Sequence, residues 1–247
     1  MLRDTITVAW REWREIRASL FSLRQGGLAA LILALVLGVV APLQLGAEWV
    51  TSPLMEAYWP FLAASLVSTL ITDSIAGERE RHTLETLLAT RMSDASILLG
   101  KVAAVVLYGV AFAMLNLVLG MIAVNVAQAG DGQGLVLLDA RHFLVTLVLV
   151  FLMCTFVSGV GVFISLRAAS VRQAQQTFGI ALVVCVMGPA LAFQSLSPMG
   201  RFELVQRLAG LGRETLEQVA ILVLVALSVT ILSAALLRFR RGQLVLD

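Results

Sequence analysis

Long apolar runs, broken only by small or neutral polar residues, alternate along the chain with short charged segments. Six stretches contain no Asp, Glu, Lys or Arg: 25–47, 57–72, 102–130, 142–166, 173–200 and 218–237. Most reach the roughly 20 residues that a helix needs to cross a ~30 Å hydrocarbon core. The second is shorter, and its span is predicted to continue through Ile75, leaving Asp73 in the interface where a charge costs little. In lipid every backbone amide must be satisfied within the segment, so these runs predict helices. The fold expected is an all-α integral membrane protein with six transmembrane helices, forming a single transmembrane domain over 1–247.

Other patterns fill the gaps. In segment 1–24, Ile6, Ala9, Trp10, Trp13 and Leu20 recur on one helical face, with Arg11, Glu12 and Glu15 opposite. That predicts an amphipathic helix lying in the membrane interface, either as a plain anchor or with a further role. Segment 197–216 is partly amphipathic, with Phe202, Leu204, Val205 and Leu208 among Arg201, Glu203 and Arg207. It reads as an outer, partly re-entrant hairpin. The segment around Gly130, Gly132 and Gly134 reads as a flexible turn.

Composition agrees with this pattern. With 59% hydrophobic residues, 14% charged residues and a mean hydropathy of +0.92, the chain cannot cover a soluble domain with polar surface. Its basic residues fix an expected orientation. Fourteen of the 18 fall before the first run, after the second, after the fourth or after the sixth, and four fall in the opposite segments. The positive-inside rule then places both termini in the cytoplasm. Clusters of this kind follow topology and not a nucleic-acid-binding stripe. Cys154 and Cys185 lie in apolar runs and read as small packing residues.

The most informative segment is the cytoplasmic loop 77–92. It reads Gly77-Glu78-Arg79-Glu80-Arg81-His82-Thr83-Leu84-Glu85-Thr86-Leu87-Leu88-Ala89-Thr90, then Arg91-Met92-Ser93-Asp94 and, further on, Gly100-Lys101. Leu84, Leu87 and Leu88 share one helical face, and Ser93 or Asp94 can cap the helix that follows. A short helix with an apolar ridge and a charged rim suits a groove on a soluble partner, although a solvated loop with i,i+4 charge support has the same spacing.

The run GERERHTLETLLAT with the later LLGK resembles the hallmark loop of type-2 ATP-binding-cassette (ABC) permeases, approximately G-E-[RK]-E-x-G-T-L-E-x-L-L followed by a Pro-containing turn and G-K. His82 stands where that family usually has Gly, and Arg91 where Pro is common. The resemblance implies a coupling helix seated in a separate ATPase subunit, with Glu78, Glu80, Thr83, Leu84, Glu85 and Leu88 making or shaping the joint. It implies two ATPase copies and a second permease copy or paralogue, arranged as a homo- or heterodimer in the plasma (inner) membrane. It also implies ATP-driven export of an amphipathic, lipid-like or drug-like substrate. The alternatives it leaves are a non-transporting scaffold or mechanotransmitter, or a sodium-extruding permease, although the large outer domain common in that last branch is missing.

This chain is expected to carry no cofactor and no enzymatic activity of its own, with ATP and Mg bound by the partner. A phosphate-cradling loop needs G-x-x-x-x-G-K-[ST], whereas here Ala95 takes the first glycine position and Val102 follows Lys101. An intramembrane serine protease needs Ser and His within the bundle, and the two histidines, His82 and His142, fall at its margins. No charge lies mid-membrane, which disfavours an ion-coupled carrier. Ser65, Ser68, Thr69, Asn116 and Asn125 either line a pathway or hold helices together by hydrogen bonds. The small-residue run Ser158–Gly161 lets backbones approach closely. Gly188 and Pro189 should kink the fifth run or end its helix, and by analogy they lie beside the pathway.

Overall fold

The structure is a computed structural model, and it describes residues 2–21, 27–81, 91–129 and 135–239. Among these the chain is helical, with no strand. In chain order, α1 spans Leu2–Phe21. The first apolar run forms α2 (Gly27–Leu35), a π-helical turn (Val36–Val40) and α3 (Ala41–Leu45). It stops at Gly46, whose φ of 61° is open to glycine at little cost. A single turn, α4 (Glu48–Thr51), leads into α5 (Pro53–Thr72), a second π-helical turn (Asp73–Gly77) and α6 (Glu78–Glu80). The remaining helices are α7 (Asp94–Gln128), α8 (Ala140–Ser165), α9 (Val171–Ser195), α10 (Pro198–Gly210) and α11 (Arg213–Arg238).

Among the described residues four helices are long and apolar enough to cross a membrane: Met55–Glu80, Asp94–Gln128, Ala140–Ser165 and Arg213–Arg238. The expected crossings at 25–47 and 173–200 coincide with a shorter apolar helix, Leu31–Leu45, and with α9. Several expectations change in detail. The helix that carries the second span starts at Pro53, ahead of the charge-free stretch, and Glu56 in its first turn is held in an ion pair with Arg213. Ser93, not Asp94, caps α7: its hydroxyl accepts the Ser96 amide at 3.2 Å. Gly188 and Pro189 do not end the fifth helix, since α9 continues to Ser195. Losing the proline N–H removes one rung of the ladder, and the turns on either side hold the helix together.

Helix α7 forms the axis of the bundle. Its 35 residues extend about 52 Å at 1.5 Å per residue, more than the ~30 Å hydrocarbon layer. The helix is therefore longer than a perpendicular crossing requires. Helix α5 packs on α7 and α8, α8 packs on α11, and α1 lies along the start of α7. Close approach depends on glycine. An added Cβ at Gly109 would meet Val67 Cγ2 at 2.5 Å, at Gly159 it would meet Ile231 at 2.7 Å, and at Gly161 it would collide with Ile71. The small-residue run thus seats α8 against both α5 and α11.

By contrast, α9 touches the bundle mainly through its first turns, where Ala174 and Phe178 are buried. Beyond them Ile180, Val183, Val184 and Leu191 are exposed, as are Leu222 and Val229 on α11. Apolar surface on this scale suits lipid or another apolar chain, not water.

Candidate functional site

The polar heart of the molecule lies where α1, the base of the second span and the start of α7 meet. Gly100 permits the meeting. A Cβ there would sit 2.7 Å from Val8 Cβ and 2.9 Å from the Thr5 carbonyl, so α1 can lie against α7 only where the side chain is missing. The next residue, Lys101, is 1% exposed and is the largest of the fully buried side chains. Its Nζ donates to Glu12 Oε1 at 2.6 Å, the Ser74 carbonyl at 3.0 Å and Ser74 Oγ at 3.1 Å, and it pairs with Glu78 Oε1 at 2.9 Å. Ser74 Oγ in turn donates to Glu12 Oε2 at 3.0 Å.

Local geometry explains why these groups converge. Val8, Glu12 and Ile16 are spaced four apart on α1, and all three are buried, so Glu12 lies on the packed face and not beside solvent-exposed Arg11 and Glu15. The π-helical turn widens the end of the second span, which frees the Ser74 carbonyl to accept the ammonium. Lysine offers three donors and no acceptor, and here they are shared among two carboxylates and one serine. An ion removed from water at this depth is tolerable only because its hydrogen bonds are made. Nearby, Arg11 is held above its ordinary pKa, first by the hydrogen bond to Glu15 and then by the surrounding carboxylates, so it stays cationic.

The acidic stem of the loop grips two further helices. Glu80 Oε2 accepts the Val171 amide at 3.1 Å, at the start of α9, and Arg79 donates to the Leu166 carbonyl at 3.1 Å, just past the end of α8. Arg81 lies 3.7 Å from Asp73 on the exposed side. The side chains of residues 78–80 therefore contact Lys101 on α7, the Leu166 carbonyl just past α8 and the first amide of α9. Thr83, Leu84, Glu85 and Leu88 lie outside the described residues.

The other polar residues of the spans are mostly bonded within their own helices. Ser65 donates to the Leu62 carbonyl, Ser68 to Ser65, Thr69 to Leu66 and Asn116 to Phe112, at 2.7–2.8 Å. Two reach out: Asn125 exchanges two hydrogen bonds with the Val136 backbone, and Ser228 on α11 donates to the Leu152 carbonyl of α8 at 3.2 Å. The backbone of Gly188 and Pro189 lies in the exposed outer half of α9, and Gly188 has no atom within contact range of the Cβ it lacks. Sequence reasoning missed Glu12, Ser74 and Lys101. The signal for Lys101 was its uniqueness, as the single lysine among 18 basic residues. The signal for Glu12 was its place in the four-residue stripe with Val8 and Ile16.

Among the described residues no group of His, Cys, Asp and Glu is arranged to hold a metal ion. A clamp of buried charge thus sits at the root of loop 77–92, in a bundle of apolar helices. The ABC-2 type transporter family model matches residues 3–194, and the chain belongs to that family. Its members are ABC transporter permease subunits, which are not normally catalytic themselves and work with an ATP-binding partner subunit. Among curated proteins, none matches the chain.

Proposed function

We propose that this chain is the membrane-spanning subunit of an ATP-driven exporter. It couples ATP hydrolysis in a separate nucleotide-binding subunit to outward movement of an amphipathic, lipid-like or drug-like substrate. Loop 77–92 docks on that subunit through Leu84, Leu88, Thr83 and Glu85, while Glu78 and Glu80 fasten the loop to the bundle. Lys101 carries the reading: an ammonium clamped by Glu12, Ser74 and Glu78 makes the loop stem, α1 and α7 one mechanical unit. Force applied to the loop then reaches the spans without being lost in a hinge.

The complete assembly in this reading has two ATPase copies, which bind the ATP and Mg, and a second permease copy that covers the exposed outer half of α9. It sits in the inner membrane with both termini in the cytoplasm and six spans, the first formed by α2–α3 and the fifth by α9. Helix α1 lies in the interface with Ile6 and Trp10, both well exposed, turned toward lipid. Segment 197–216, which contains α10, dips into the outer leaflet. The weakly packed α9 suits a pathway wall that must move.

Purification of the tagged full chain from its native membrane, followed by efflux assays in inside-out vesicles, tests this. The expected result is a stoichiometric ATPase partner and accumulation of a fluorescent amphiphile that stops with a non-hydrolysable nucleotide. An ATPase partner without any ATP-dependent movement of amphiphile, lipid or sodium would replace the exporter with a scaffold that only relays force.

A further inference from the structure

At the end of the bundle away from Lys101 a second feature stands apart from the coupling machinery. Its lining includes Leu117, sixteen residues along α7 from Lys101 and hence about 24 Å away. It is a cavity of about 210 Å³, walled by Trp49, Trp59 and Met55 and edged by Glu56, Asp139 and Arg213. Trp49 and Trp59 are each 3% exposed and meet edge to face with centroids 5.2 Å apart.

Glu56 marks the cavity as a receptor for something. Its side chain is 10% exposed, and Oε2 takes Arg213 Nη2 at 2.7 Å. Oε1 is buried and has no hydrogen-bond partner among the described residues. A buried carboxylate oxygen left unmade is costly, and a donor supplied from outside removes that cost. The wider network is also short of positive charge. Glu56, Asp139, Glu214 and Glu217 face Arg141, Arg213 and His142.

We propose that this cavity binds an organic ammonium group, with the cation on Glu56 Oε1 and its alkyl shell against Trp49 and Trp59. Aromatic faces attract a cation, most strongly when it is desolvated. The volume suits a headgroup. A dry cavity of about 150 Å³ accepts a benzene-sized molecule, and drug-sized ligands occupy about 300 Å³ or more. A bare metal ion would need several oxygen or nitrogen ligands around it, and no such cluster forms among the described residues. The site is independent of the docking reading, because it would bind with or without an ATPase present.

The test uses the full chain in an uncharged detergent, with Trp10→Phe and Trp13→Phe so that fluorescence reports Trp49 and Trp59. Choline is titrated against a sodium chloride control of equal ionic strength. The expected result is a saturable change with choline and none with sodium. Glu56→Gln should weaken binding about tenfold, because it keeps an acceptor for Arg213 and loses the charge. Trp59→Leu should weaken it about threefold. Should Glu56→Gln fail to fold, Trp59→Leu and Asp139→Asn carry the decision, each expected to weaken choline. In nanodiscs, weaker apparent choline binding in phosphatidylcholine than in an uncharged galactosyl diacylglycerol, which lacks an ammonium group and a surface potential, identifies a lipid headgroup as the occupant. Equal binding in both identifies a free amine. No saturation with choline, an equal response to sodium, or affinity unchanged in the variants overturns the proposal.

Discussion

Lys101→Met is expected to destabilise the protein by roughly 3–5 kcal/mol, because it removes the ammonium that the buried carboxylates Glu12 and Glu78 share. Detergent-solubilised protein should show a sharply lowered melting temperature and α1 should become cleavable by trypsin at Arg11 and Arg14. The informative partner is the triple variant Glu12→Leu, Lys101→Met, Glu78→Leu. Replacing a complete buried ion cluster with apolar residues of similar size is often neutral, and can stabilise by roughly 1–4 kcal/mol. The triple variant should therefore recover the melting temperature while transport stays lost, if the clamp serves coupling. Recovery of transport as well would mean that the cluster is structural packing and nothing more.

The second large effect is expected at the loop itself. Leu84→Arg or Glu85→Arg should leave insertion and folding intact, since neither residue belongs to a span. ATP hydrolysis by the complex and transport should become uncoupled, with transport falling at least tenfold while membrane abundance is unchanged. At Leu84 a charge on the apolar docking ridge must be desolvated without a partner, which costs several kcal/mol, and at Glu85 the substitution reverses the sign of the charged rim. Quantitative blotting of membranes beside vesicle efflux measures both quantities. Unchanged transport in both variants would remove the coupling role from this loop.

Much of the fold was legible because lipid imposes strong constraints. Charge-free runs locate the helices α5, α7, α8 and α11, since a membrane span has little freedom to be anything else. The limits of that reading are equally physical. A charge at a span terminus, such as Glu56, escapes a charge-free rule because an arginine 157 residues away neutralises it. Glu12 was assigned to a polar face because helical periodicity counts polarity and cannot see Lys101, which arrives from 89 residues further on. Ser65, Ser68 and Thr69 looked like pathway or interhelical groups, yet each satisfies itself on its own helix. A hydroxyl three or four residues after a carbonyl has that option wherever it lies. The loop motif was readable as local sequence, whereas the clamp beneath it depends on long-range convergence and became visible only in three dimensions.

The relay from loop to bundle is tested most directly by photo-crosslinking from position 88 in the intact complex. A benzoyl-phenylalanine at Leu88 should capture the ATP-binding subunit in high yield, with a yield that changes when ATP is added. The same probe at Leu107, exposed on the flank of α7 within the apolar span, should capture none of it. Capture that fails at position 88, or that is equal at position 107, would contradict the account.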